Sequence, residues 1–289
     1  MLDVNAHLHT PYSFSAFSSI GEALDKAAEE GVKIVGINDF YSTDGYGEWK
    51  EGCAARGLFP LFGIEFIALN AEDQAAGLRV NDPNNPGRTY ISGKGLACPP
   101  ILSGEPLRQL QAVRAESNAQ VENDLRSKLL KAGGPAFVPE DPKAFLPMET
   151  VQRIIEAAGG IPTYPFLADD AKGHFTDFEG NLQRAADTLK KRGFRSVEFI
   201  TTRNTTAVLE QYAGYLEDEG FIVTFGSEHN TPAMEPIRLR TRDAAELSPK
   251  LKAIGWRGAC AVAAHQADKD SIAAGEDLIS SVISSEGEA

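Results

Sequence analysis

The sequence predicts an α/β protein assembled from repeated βα units, and three observations carry that reading. Short β-branched or aromatic runs alternate with amphipathic segments, several of those segments end in glycine, and at least six such runs recur along the 289 residues. Right-handed crossovers repeated this often either close a sheet into a barrel or open it into a doubly wound sheet.

Leu2 to Leu8 reads as the first strand. Ser18 or Ser19 can cap a helix that runs through Glu30 with Ile20, Leu24, Ala27 and Ala28 on its apolar face, and Gly31 supplies the stop. Val32 to Ile37 follows as a strand, Glu48 to Arg56 as a short helix closed by Gly57, and Leu58 to Leu69 contains the third strand. The stretch 70–100 is rich in Gly, Asn and Pro. Within it Leu78 to Val80 and Thr89 to Ile91 flank the turn-forming DPNNPG, which predicts a hairpin excursion. Glu105 to Ala132 reads as a long polar helix without the apolar heptads of a coiled coil. Met148 to Ala158 is a helix ended by Gly159-Gly160. Ile161 to Tyr164, Ser196 to Ile200 and Phe221 to Phe225 are strands, separated by helices at Asn181 to Arg192 and Thr206 to Glu219. The Ala/Ser/Glu-rich tail is expected to be mobile over about 280–289, and no repeat or Pro/Ser linker divides the chain, so a single domain is expected.

Composition narrows the function. There are 28 Lys plus Arg against 41 Asp plus Glu, a formal charge of −13, and no local basic stripe, which excludes nucleic acid as a partner. Cys53, Cys98 and Cys260 are odd in number and lack a C-x-x-C spacing, so neither a disulfide framework nor a thiolate zinc site is expected. The start MLDVNAHLHTPYSF lacks the basic and apolar segments of a leader, and no stretch approaches the ~20 apolar residues that span a bilayer. A cytoplasmic protein with no membrane partner is the expectation.

The chemistry-bearing residues gather at strand ends. His7 and His9 stand two apart at the end of the first strand, so both imidazoles project to one face and can reach one metal ion. Asp39 ends the second strand in IVGINDF, Glu65 lies in LFGIEF, and Glu228-His229 follows the last strand in VTFGSEHN. Each follows an apolar stretch, so acids and imidazoles arrive repeatedly at one end of the sheet, which in a barrel is where active sites are built.

These residues resemble the polymerase and histidinol phosphatase (PHP) domain of metal-dependent phosphoesterases. The matching pieces are HLHT (His7 to Thr10), GIND (Gly36 to Asp39), GIE (Gly63 to Glu65), GGIPTYP (Gly159 to Pro165) and GSEHN (Gly226 to Asn230), in the family's order. The resemblance implies a distorted TIM-like (β/α)7 barrel that holds up to three divalent metals at its C-terminal mouth, with a metal-bound hydroxide attacking phosphorus.

The sequence also departs from the family. Pro11-Tyr12-Ser13-Phe14 replaces the Ser-Asp or His expected after HxHT, Asp39-Phe40 replaces Asp-His, and Tyr90 and Tyr164 stand where downstream ligand histidines fall. In the closing motif Glu228 replaces Asp and His229 comes one place early. Five histidines are too few for the full site. The first metal position keeps His7, His9, Glu65 and Glu228, with His229 a further candidate if its loop shifts register. The expectation is therefore one or two ions of zinc, manganese or iron rather than three. Asp39 is read as a general base or, equally, as an acceptor that orients His7 or His9. Tyr90 and Tyr164 are candidate donors to a substrate oxygen, and Arg203 and Arg88 candidate anion clamps. His174 and His265 are read as loop and structural residues. The function implied is hydrolysis of a small, anionic, phosphorylated molecule. The alternatives are a one-metal esterase or lactonase of amidohydrolase type, and a non-catalytic binding module on the same barrel.

Overall fold

The computed structural model describes residues 1–96, 134–136, 142–170, 172–231 and 234–284. The helix expected at Glu105 to Ala132, Cys98 and the last five residues of the tail lie outside the described residues. The elements are β1 (Val4–Leu8), α1 (Ile20–Glu29), β2 (Ile34–Phe40), α2 (Tyr46–Ala54), β3 (Phe59–Leu69), α3 (Ala71–Ala75), β4 (Arg88–Lys94), β5 (Leu146–Pro147), α4 (Met148–Ala157), β6 (Ile161–Phe166), α5 (Leu182–Lys191), β7 (Ser196–Ile200), α6 (Thr206–Asp218), β8 (Ile222–Gly226), α7 (Pro249–Gln266) and α8 (Ile272–Ser284).

Seven strands follow one another in the order β1-β2-β3-β4-β6-β7-β8, with the two-residue β5 attached beside β3. The sheet curls into a nearly closed barrel, as the α/β expectation required. Its ends meet where Leu8 bridges Glu228 in parallel and the His9 N–H donates to the Glu228 carbonyl at 2.8 Å. A side chain at Gly226 would have no room at this seam, because a Cβ there would lie 2.2 Å from the His7 Cβ. The strand carrying His7 and the last strand therefore approach closely only because position 226 is glycine.

One expectation about the strands fails. The run 78–80 is not a strand, and Thr89 to Ile91 belongs to no excursion: β4 is a stave of the barrel, antiparallel to both β3 and β6. The physical reason is that the chain reverses through residues 70–87 and returns along β3, with Leu69 opposite Arg88 and Gly63 opposite Lys94. Reversal places the N-terminal end of β4 at the mouth where the parallel strands have their C-terminal ends.

Helix starts follow their caps. Ser19 accepts from the Glu22 N–H at 3.0 Å, while the Glu22 carboxylate accepts from Ser18, and Gly31 adopts φ 73° just beyond the end. Asn181, Thr205 and Ser248 cap α5, α6 and α7 in the same way. The apolar face expected for α1 is buried as Ile20, Ala23, Leu24 and Ala27. The long α7 packs against β8, β3 and β1, and Gly258 lets it approach the Val223 carbonyl. Residues 272–284 of the tail form α8, which docks on α7 through Gly275 and Ile279. No helix among the described residues is long and apolar enough to cross a membrane.

Gly226→Ala is expected to destabilise the protein by about 1–3 kcal/mol through overpacking at the seam and to weaken metal binding with it. Denaturant titration and metal titration of the variant check both effects.

Candidate metal centre

Alternation along β1 turns His7 into the barrel, and the turn that follows brings His9 beside it, while β3 presents Glu65 from across the mouth. The two Nε2 atoms lie 3.3 Å apart, and Glu65 Oε2 sits 3.5 Å from His7 Nε2 and 3.4 Å from His9 Nε2. All three side chains are buried, and Glu65 Oε2 makes no hydrogen bond. Three ligand atoms about 2.1 Å from a tetrahedral ion are separated by about 3.4 Å. The spacing found here is thus that of ligands around one ion, and a buried carboxylate oxygen without a hydrogen-bond donor is the atom such an ion would satisfy. Among the described residues, His7, His9 and Glu65 are the group that could hold a metal.

Each imidazole presents Nε2 because its Nδ1 is already engaged. His7 Nδ1 lies 2.7 Å from Glu198 Oε2, an acceptor, so Nδ1 carries the proton. Ser13 donates its hydroxyl proton to Asp39, which leaves its oxygen to accept from His9 Nδ1 at 3.4 Å. Burial opposes a charge on His7, but the Glu198 carboxylate and then Glu65 outweigh it and raise the imidazole to about 9. Burial likewise opposes ionisation of Glu65, and the two histidines overcome it, holding the carboxyl at about 2.

The remaining candidates from the sequence are not all at this point. Asp39 is buried and accepts from the Thr10 N–H at 2.7 Å, the Thr10 hydroxyl at 2.6 Å and Ser13, so it anchors the turn carrying His9. Its burial raises its pKa against those bonds. That geometry fits the orienting reading, through Ser13, and leaves neither oxygen free as a base. Glu228 and His229 follow β8 in the left-handed region at φ 64° and 55°, and neither belongs to the three-ligand group. Glu228 is held by Arg203, whose Nη2 lies 2.8 Å from both carboxylate oxygens, and by Asn230. His229 stacks on Phe17 at 5.0 Å, donates from Nε2 to the Glu235 carbonyl and accepts at Nδ1 from Ser227. Both of its nitrogens are occupied, and burial lowers its pKa.

The two tyrosines part company. Tyr90 shares a face of β4 with Ser92 and Lys94, half-buried at the mouth, 6.4 Å from Phe40. Phe40 in turn stacks on His9 at 4.9 Å. Tyr164 points instead into an aromatic layer of Phe166, Phe178 and Phe194 and donates to Glu179 at 2.7 Å, so the structure does not bring it to the ligand group. Strand parity is the reason: Thr163 and Pro165 take the opposite face. Arg88 lies over the Phe145 ring at 4.7 Å, with its Nε 3.7 Å from Asp82. His174 is exposed beside Asp170, and His265, within α7, donates to the Gly159 carbonyl.

The residues missed from the sequence lie beneath the ligands. Glu198 in β7 and Lys94 in β4 are buried inside the barrel, 2.7 Å apart. The Lys94 ammonium also donates to the Ala6 carbonyl at 2.9 Å and Asn38 Oδ1 at 3.0 Å. Burial opposes the charge on Glu198, but Lys94 and His7 hold its carboxyl at about 2. The one available signal was a Glu in the middle of SVEFI, a strand whose other residues are buried without charge.

Residues 5–125 match the model of the PHP domain. The family resemblance carried by the HLHT, GIND and GIE motifs therefore stands. No curated protein matches the chain. Solved structures of similar fold include an amidohydrolase from Chromobacterium violaceum with bound sulfate and no metal, at 16% identity and TM-score 0.59 over 86% of this chain and 93% of that one. Another is a protein from Bifidobacterium adolescentis assigned by inference to the metal-dependent phosphoesterases, at 15% identity and TM-score 0.58 over 87% of this chain and 94% of that one.

Glu179, buried and receiving Tyr164 and the N–H groups of Leu167 and Ala168, makes the stability of the fold sensitive to pH. Burial raises its carboxyl to about 8 against those three bonds. The folded state thus binds this proton more tightly than the unfolded chain, whose Glu titrates near the ordinary ~4.3. The stabilisation is complete below that value and is lost as pH rises through about 8. The stability difference between wild type and Glu179→Gln is expected to fall steadily across this window, as read by urea denaturation at a series of pH values.

Proposed function

We propose that this protein is a metal-dependent hydrolase of small phosphate esters. The observation that carries the proposal is the convergence of His7 Nε2, His9 Nε2 and Glu65 Oε2, with the carboxylate oxygen buried and without a hydrogen bond. A divalent ion bound there, zinc, manganese or iron by its N and O ligands, supplies a Lewis acid. Everything else falls to the chain's own groups. Glu198 and Ser13 hold the two imidazoles with Nε2 inward. Asp39 fixes the turn that carries His9. Phe40, stacked on His9, covers one side of the mouth and excludes water there.

Substrate anions are met by arginine. The Arg203 side chain is 43% exposed and is held against Glu228 at the closing seam, beside the backbone that carries His9. A phosphate can replace the Glu228 carboxylate on the same guanidinium, which keeps Arg203 paired and leaves Glu228 to the Asn230 amide. Tyr90, half-buried and 6.4 Å from Phe40, is the donor we assign to a substrate oxygen. The net charge of −13 opposes phosphates at long range, but an ion and an arginine reverse the field locally.

A second reading, an esterase or lactonase of amidohydrolase type, is favoured by one specific observation: a single three-ligand group is found among the described residues. One ion suffices to activate water, whereas holding both the attacking and leaving oxygens of a phosphate is easier with two.

Purified protein should contain close to one equivalent of divalent metal, and His7→Ala or Glu65→Gln should lose it together with turnover. Metal analysis and a panel of phosphate esters, carboxyl esters and lactones check this. Protein without metal at neutral pH sinks the proposal, and turnover of lactones but not phosphates selects the second reading. If His7→Ala alters ligand affinity in a protein that never turns over, the barrel is a binding module. Arg203→Lys should raise KM and lower kcat for an anionic substrate, a combined loss in kcat/KM of about tenfold or more, since the lost contacts are each charge-assisted hydrogen bonds of roughly 1.5–3 kcal/mol.

A further inference from the structure

We infer that Glu198 is a positioning residue for the metal centre, fixing His7 in the one tautomer that can bind an ion, and that Lys94 is the built-in cation that lets this carboxylate exist inside the barrel. The inference rests on the proposed metal-binding role of His7.

Glu198 is wholly buried at the centre of β7, and its two oxygens divide their tasks. Oε2 accepts from His7 Nδ1 at 2.7 Å and Oε1 receives the Lys94 ammonium at 2.7 Å. Ser92 and Thr224 add weaker donors at 3.5 and 3.3 Å. Nothing in this arrangement faces the mouth. Its one exit is His7, whose Nε2 is the atom that meets Glu65 and His9. A carboxylate behind a ligating imidazole holds the ring in place and raises the basicity of its outer nitrogen.

An isolated carboxylate at this depth would be strongly unfavourable. Lys94 removes that penalty because β4 runs antiparallel. Had β4 run parallel, its C-terminal lysine would stand at the mouth, exposed, instead of below the ligands. The ammonium is held by three oxygens, those of Glu198, Ala6 and Asn38. Asn38 turns its amide nitrogen to Ser92, with the same nitrogen 3.2 Å from the His7 ring. Four staves, β1, β2, β4 and β7, are thereby tied to the orientation of one imidazole.

The test uses full-length protein with zinc as the probe. In zinc-loaded wild type, the His7 Nδ1 proton should appear in 1H–15N spectra as a slowly exchanging, far-downfield signal, a measurement that needs no variant to fold. Glu198→Gln, and the charge-neutral double variant Lys94→Met/Glu198→Gln, should keep their circular dichroism, move or lose that signal, and weaken zinc about 10–100-fold in chelator competition. Lys94→Met alone, which strands the carboxylate, should melt below the double variant. Absence of the signal in the loaded wild type overturns the inference, as does unchanged zinc affinity in folded Glu198→Gln and in the double variant. In both cases wild type still binds zinc, so the metal-centre reading survives. Wild type that binds no zinc overturns both readings together.

Discussion

The ion pair between Glu198 and Lys94 is the constraint around which the barrel is organised. A barrel of seven staves could be filled by branched apolar side chains, which pack without any demand for partners. Here the layer beneath the mouth holds a carboxylate, an ammonium, an amide and an imidazole, all buried. Charges at this depth persist only when each is paired and its remaining hydrogen-bonding capacity met. Each of the four finds its partner on a different strand, so the register of those strands and the reversal of β4 are all required at once. Disturbing any one leaves an unsatisfied group, and that makes the polar layer a specification of the fold as well as a support for the ligands.

The same layer explains why the two histidines differ in their supports. His7 is oriented from below by a charged partner within the barrel. His9 lies above it on the turn after β1, where only the Asp39 and Ser13 arrangement and the face of Phe40 can hold it. One ligand is therefore fixed by the sheet and the other by a turn. The turn is itself fixed by three hydrogen bonds to one carboxylate.

Much of this was legible in the sequence, for physical reasons that can be stated residue by residue. Strands such as Val32 to Ile37 and helices such as α1 were readable because their apolar periods, caps and glycine stops act locally. His7, His9 and Glu65 were readable as candidates because imidazoles and carboxylates at the ends of apolar strands have few other uses. The direction of β4 was not, since an antiparallel stave buried on both faces has the same composition as a parallel one. Glu198 and Lys94 went unread because a search of strand ends passes over a charge in the middle of a strand. Tyr164 and Tyr90 were both placed by motif, but only parity along their strands separates an outward ring from one at the mouth. Glu228 and His229 turn on two left-handed residues, a conformation that neither side chain advertises.

Phe40 stands where the family resemblance implies a ligand histidine. Its ring lies within 13° of parallel to His9 at 4.9 Å. An aromatic face there offers no lone pair, and it shields the His9 ring from water, which strengthens every charge interaction at the ligand group. On the reading proposed, a site with one ion has a Lewis acid on the attacking side only. The charge that develops on the leaving oxygen must then be met by the protein. Among the groups placed at the mouth, Arg203 carries a positive charge, is partly exposed, and is paired with a carboxylate that a substrate anion can replace. On that reading the single three-ligand group and the Arg203 to Glu228 pair belong to one arrangement, in which a guanidinium would take over work that a second ion would do.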